Sequence, residues 1–168
     1  MSVIAETTHR SRWTGTADAE ERAHWRGIAE RVAAELESDA LQRDRANQDP
    51  TVELDLLREA GLVTLLQPAE FGGGGAHWET AFLVIRVLSR ADASVAQVLA
   101  YHYINSGNIG FAADPSVQER WHRKTTEGRW VWGDSVNPTD PDLELTVDGE
   151  GYRPVSYTHL TLPTTPYV

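Results

Sequence analysis

The stretch "GLVTLLQPAEFGGGGAHWETAFLVIRVLSRADASVAQVLAYH", Gly61 to His102, carries the reading of the fold. At its centre stand four consecutive glycines, Gly72 to Gly75. Such a run stops regular structure and lets backbone approach backbone closely. Before it, "LVTLLQP" (Leu62 to Pro68) is short, apolar and ended by proline, as in a buried connector. After it, Trp78 to Ala91 is apolar nearly all round, which predicts a helix buried in the middle of a bundle. Asp92 or Ser94 then caps a further helix through Val95, Val98, Leu99, Tyr101 and Ile104.

Working outward, residues 1–16 are polar and aperiodic and read as a loose arm. Asp18 followed by Glu21 resembles a capping box. Trp25, Ile28, Ala29, Val32, Leu36 and Ala40 recur at helical spacing, predicting one amphipathic helix of about six turns. "RDRANQDP" breaks it. Asp49 is expected to cap a second helix with Pro50 at its first position, contacts from Val52, Leu54, Leu56 and Leu57, and a stop at Gly61. Asp114-Pro115 opens a fifth helix and Gly128 closes it. Beyond it the texture changes. "RWVWGDSV" and the alternating "LELTV" read as strands, with "DGEG" as a hairpin turn. The expected layout is therefore mainly α: an arm (1–16), a helical domain (17–128) and the truncated start of a β domain (129–153).

Composition narrows the function. A net charge of −10 repels phosphate backbones, so nucleic acid is not an expected partner. The absence of cysteine removes disulfides, thiolate metal sites and Cys nucleophiles, and fits a reducing cytoplasm. The N-terminus lacks the apolar core of a signal peptide, and the longest apolar run, Ala81 to Ile85, is too short to span a bilayer. No membrane association and no metal site are expected. The glycine run lacks the Lys-Ser/Thr ending of a phosphate-binding loop, because Ala76-His77 follows it. It reads as a backbone-packed turn.

Two segments carry candidate chemistry. "YHYIN" places Tyr101 and Asn105 on one helical face, with His102 between them as a candidate general base. A histidine on a helix is otherwise structural, and no second histidine lies at metal-pair spacing. "RWVWGDS" is either a core strand with a turn, or a wall for a flat aromatic ligand whose edge is held by backbone groups of the turn.

Taken in order, "REAGLVTLLQPAEFGGGGAHWETAFLVIRVLSRADASVAQVLAYH" resembles the N-terminal domain of the acyl-CoA dehydrogenase superfamily. The shared features are a Gly-Leu connector, Pro-x-x-Phe-Gly-Gly-x-Gly, and an apolar helix ending in Arg-Ala-Asp-x-Ser. "DPSVQERW", "TEGRW" and "VDGEGYR" follow in the family's order, so the likeness covers about Ala19 to Arg153. It implies a flavoenzyme, usually a homotetramer, that holds FAD or FMN between a helical N-terminal domain, a β domain and a C-terminal bundle. The dehydrogenase signatures Thr-Glu-Pro and Ala-Gly-Ser-Asp are missing; "WGDSVNPTDPDLE" stands there instead. The tryptophan-rich segment and "YHYINS" look more like the flavin-dependent monooxygenase branch. Those enzymes take reduced flavin from a partner reductase and use dioxygen on aromatic or sulfur compounds. By matching position, Gly133, Asp134 and Ser135 are expected at the flavin ring edge beside Trp132, and Tyr101, His102 and Asn105 nearest the substrate cavity. The alternatives are an acyl-CoA dehydrogenase with a divergent loop, and a helical interaction module without cofactor.

The end of the chain has its own reading. "VSYTHLTLPT", Val155 to Thr164, is one translated frame of the transposon mosaic end and adaptor used in sequencing libraries, GTC TCT TAT ACA CAT CTG ACG CTG CCG ACG. Pro154 fits the codon before it. The expectation is that native sequence ends at Arg153 and that residues 154–168 are read-through, to be excluded from fold reasoning. The rival is a real terminal strand, since Thr, Tyr and Val suit strands.

Overall fold

In the computed structural model, residues 16–112, 114–133, 144–149 and 151–155 are described. The chain divides into two units, residues 1–133 and 134–168. In the first, α1 (Ala19–Glu37) is capped by Asp18, whose carboxylate accepts the Glu21 N–H at 2.8 Å. Glu21 does not reach back to complete a capping box. Its carboxylate crosses to the start of α4 (Trp78–Leu88), accepting the His77 N–H at 2.9 Å and the Thr80 hydroxyl. His77 Nδ1–H donates to the same carboxylate at 2.7 Å. One acid therefore satisfies orphan donors of a second helix, which the local spacing did not reveal.

The expected six-turn helix is two helices. Ser38 Oγ donates to Glu35 O at 2.7 Å, the chain turns at Asp39 (φ −139°), and α2 (Ala40–Ala46) resumes until Asn47 in the left-handed region (φ 49°). α3 (Thr51–Glu59) starts one residue later than expected. Pro50 (ψ 47°) stands outside the helix as its cap, and Asp49 caps nothing with its side chain; its carbonyl accepts the Thr51 N–H instead. Leu57 is fully buried, but Val52, expected to pack, is 74% exposed because it lies on the opposite face.

Arg43 joins these pieces. Its guanidinium lies 2.8 Å from Asp39 on the turn before α2, 3.1 Å from Glu53 of α3 and 2.9 Å from Asp92, and it donates to Leu36 O at 3.0 Å. Burial would lower its pKa, yet the hydrogen bonds to Asp39 and Asp92 and the charge of Glu53 raise it above the ordinary arginine value. Asp92 works at both oxygens: one meets Arg43, while the other accepts the Val95 N–H at 2.9 Å and caps α5 (Ala93–Gly107).

The connector after α3 is buried as expected, with Leu62, Val63, Leu65 and Gln67 all hidden. It forms no helix or strand, so its carbonyls need outside donors. The glycine run supplies several: Gly73 N–H bonds Pro68 O, Gly74 N–H bonds Thr64 O, Gly75 N–H bonds Gln67 O and Ala76 N–H bonds Leu65 O, at 2.9–3.1 Å. A Cβ on Gly73 would lie 2.2 Å from Gln67 O, which is why only glycine fits. These N–H groups are spent on the protein's own backbone, in agreement with the packed-turn reading.

α4 buries Thr80, Ala81, Val84 and Leu88 against α1 and α5, but Phe82 is 62% exposed. The helix has an open face, contrary to the expectation of burial all round; uniform apolarity hides which face meets neighbours. α6 (Pro115–Glu127) begins as expected, with Asp114 accepting the Ser116 N–H at 2.8 Å and Pro115 in the first turn. Trp130 to Gly133, read as strand, is not in a ladder. In the second unit β1 (Glu144–Asp148) and β2 (Gly151–Val155) pair antiparallel, with Asp148 opposite Gly151 and Gly149 at φ 63° in the expected turn. The register runs to Glu144 opposite Val155, the first residue of the adaptor-like frame. Residues 156–168 lie outside the described residues.

Candidate functional site

The segment after α6 is fixed by side chains of three helices rather than by a sheet. Gly128 ends α6, where a Cβ would stand 2.2 Å from Trp130 Nε1, so glycine lets the indole fold back. Arg129 is left-handed (φ 46°), and its carbonyl accepts Arg58 Nε–H of α3 at 3.2 Å. Trp130 N–H donates to Thr125 O at 3.0 Å, and Trp132 Nε1–H to Thr125 Oγ1, also at 3.0 Å. Trp132 N–H donates to His102 Nδ1 at 3.1 Å.

His102 is fully buried (0% exposed). Its other nitrogen, Nε2, faces Val63 O at 2.6 Å. A carbonyl only accepts, so Nε2 carries the proton and Nδ1 is the acceptor for Trp132. Burial is the main force lowering the His102 pKa, and the Arg58 charge adds to it; the Val63 bond opposes them. The ring is neutral with both nitrogens occupied, so no lone pair is left to take a substrate proton as it stands. The next residue makes a parallel contact: Tyr103 OH donates to Leu62 O at 2.7 Å, and burial raises its pKa. Consecutive residues of α5 thus hold consecutive carbonyls of the connector.

His102 does not join Tyr101 and Asn105, which stand one turn apart on α5. His102 points into the core, and Tyr101 is 42% exposed. Asn105 is half-buried, and its Nδ2 is buried with no hydrogen-bond acceptor. Gly133 is exposed, with open space where a Cβ would stand. Asp134 and Ser135 lie outside the described residues.

Trp132 belongs to an aromatic group. Its ring meets Trp121 of α6 edge-on at 6.1 Å, and Trp121 lies 6.3 Å from Trp130. These three rings and Val131 line a shallow cleft of about 580 Å³ with no charged residue in its lining. Trp121 and Thr125 do not stand out in the sequence. Their i, i+4 spacing puts them on one face of α6, and that is the available signal. Among the described residues no group of His, Asp and Glu is placed to hold a metal, and no helix is long and apolar enough to cross a membrane.

Residues 18–129 match the acyl-CoA dehydrogenase N-terminal domain. The chain belongs to the acyl-CoA dehydrogenase family. The helices and the glycine-bound connector are this member's version of that domain, and the tryptophan segment follows directly after the matched residues. It is 34% identical over 113 residues to a probable FMNH2-dependent monooxygenase, SfnC, of Pseudomonas putida, covering 67% of this chain and 29% of that protein. It is 35% identical over 135 residues to a dibenzothiophene monooxygenase of Rhodococcus erythropolis, covering 80% and 31%. TdsC of Paenibacillus sp. A11-2, solved with FMN and indole, superposes with a TM-score of 0.69 at 28% identity, over 78% of this chain and 34% of TdsC. The chain spans about a third of the length of these relatives.

Proposed function

We propose that this chain is the N-terminal part of a flavin-dependent monooxygenase that takes reduced flavin and dioxygen to an aromatic or organosulfur small molecule. The observation that carries the reading is the segment Trp130–Gly133. Where acyl-CoA dehydrogenases place their Thr-Glu-Pro signature, this chain places tryptophans that line an aromatic cleft with Trp121, over whose ring Arg120 and Lys124 stand at 5.4 Å. The relatives named above are monooxygenases, which agrees with it. The domain plan follows the same reading: a helical domain over 17–128 and the opening of a β domain over 129–153.

The described residues fit a flavin in one respect. Trp132 offers an apolar wall, and among the described residues no side chain obstructs the backbone at Gly133. Trp132, Gly133, Asp134 and Ser135 would hold the ring edge, FMN being favoured over FAD by the relatives' names. When bound, the flavin supplies the redox chemistry with dioxygen. The protein's part is to position its ring, exclude water through the aromatic wall and leave room for a flat substrate. Tyr101 and Asn105 are proposed on the substrate side, Asn105 through its buried donor without an acceptor. A flavin reductase partner and a homotetrameric parent complete the proposal.

The test uses the protein extended to the length of its relatives. Reduced FMN, dioxygen and dibenzothiophene or indole should give an oxygenated product by mass spectrometry. Acyl-CoA thioesters of any chain length should leave the oxidised flavin unbleached under anaerobic conditions. Bleaching would return the protein to the dehydrogenases.

A further inference from the structure

We propose that His102 is a positioning residue: a neutral two-sided clamp that ties the Trp132 peptide to the Val63 carbonyl and so sets where the tryptophan wall and Gly133 lie. Trp130–Gly133 has no ladder to hold it. Beyond the Trp130 N–H bond to Thr125 O, its register depends on the side chains that reach the backbone, namely Arg58 at Arg129 O and His102 at Trp132 N–H. Arg58 is held at its far side by Asp55 at 2.7 Å but is partly exposed; His102 is fully buried and held at its far side by its 2.6 Å bond to Val63 O. The indole of Trp132 has a second tie, to Thr125. Peptide and ring are thus held from two helices, α5 and α6. The clamp needs the Nε2–H tautomer, because Nδ1 must accept. A second proton would turn Nδ1 into a donor facing the Trp132 N–H, and the bond would be lost. The groups facing the ring are Arg58 of α3, whose charge disfavours a second cation, and Tyr103 on its own helix, with ring centroids 5.7 Å apart. Burial first, and then the Arg58 charge, keep the clamp neutral.

The role toward the flavin rests on the function proposed above; the clamp itself does not. The experiment is amide hydrogen exchange on this chain, read residue by residue by NMR, with two variants that each keep half of the imidazole. His102→Asn places an acceptor where Nδ1 stands. His102→Gln places a donor where Nε2 stands and leaves Trp132 without an acceptor. Expected is about tenfold faster exchange at the Trp132 amide in H102Q, the size of losing one neutral hydrogen bond. Leu99 and Tyr103 amides should be unchanged, and H102N, which keeps the acceptor but loses the Val63 anchor, should fall between wild type and H102Q at Trp132. In wild type the protection factor at Trp132 should drop as pH falls below the ordinary histidine range, with no such step in H102N. Equal protection at Trp132 in wild type and H102Q would overturn the proposal. So would a wild type without the pH step, which decides the matter even if H102Q fails to fold. In the extended protein H102Q should bind FMN more weakly than H102N. Equal FMN affinity would overturn the role toward the cofactor, whereas a wild type that binds no FMN would count against the flavin reading and leave the exchange result to judge the clamp.

Discussion

Replacing Arg43 with methionine tests the internal wiring of the helical unit. Met matches the stem in length and shape but removes every donor. Three carboxylates then lose their partner: Asp39, exposed, and Glu53 and Asp92, both nearly buried. The substitution breaks charge-assisted bonds of 2.8–3.1 Å and takes from Leu36 O a donor at 3.0 Å. The exposed Asp39 contributes little, within the usual range of about 0–1 kcal/mol for surface pairs. Glu53 and Asp92 dominate, since breaking a buried pair on one side costs about 3–5 kcal/mol. Asp92 also caps α5, so its repulsion from Glu53 loosens a helix start. R43M should therefore lose about 3–5 kcal/mol in urea unfolding followed by helical circular dichroism, a large part of a typical stability of about 5–15 kcal/mol. A second change, Glu53→Met, should recover part of that loss by removing one stranded charge. If R43M falls by less than about 1 kcal/mol, the centre of the range for ordinary point mutants, the network is not what joins α1, α2, α3 and α5.

Gly73→Ala should destabilise strongly, because its Cβ would stand 2.2 Å from the Gln67 carbonyl and backbone must move; a melting temperature equal to wild type would refute the packed-turn account. Glu21 should contribute to acid stability. Burial works to raise its pKa, but the bonds from Thr80 and His77 overcome this and hold it below the usual 4.5. A depressed carboxylate stabilises above its unfolded pKa and loses that contribution as pH falls through the folded value. Glu21→Gln should therefore flatten the acid limb of stability below about pH 4.5, while an unchanged limb would count against the cross-helix cap. Trp132→Phe removes the Thr125 bond while keeping an aromatic wall, and should cost about 1 kcal/mol in urea unfolding; a loss above about 3 kcal/mol would mean the ring is core rather than wall.

Sequence alone determined most of the helices, the caps at Asp18 and Asp114, the buried connector, the hairpin turn and the family, because each rests on neighbours within a few residues or on an ordered run of local motifs; it left the cap of α5 between Asp92 and Ser94 and ran α1 and α2 together. It also marked "YHYIN" and "RWVWGDS" as candidate segments for chemistry. Tertiary structure alone decided what those residues do. His102 and Asn105 look equally polar on a helix, yet one is sealed between Val63 and Trp132 while the other keeps a buried donor without an acceptor. Glu21 sits where a capping box would use it, but a second helix 56 residues away takes its carboxylate. Arg43 lies in a stretch that reads as a loop, yet it gathers acids from three separate segments. Trp130 to Gly133 has strand composition and no strand, since a ladder needs a partner edge and the side chains of α3, α5 and α6 reach this segment instead. Local propensity is a property of a few consecutive residues. A buried polar group is satisfied by whichever distant atom the packing brings within about 3 Å, and no local pattern encodes that choice.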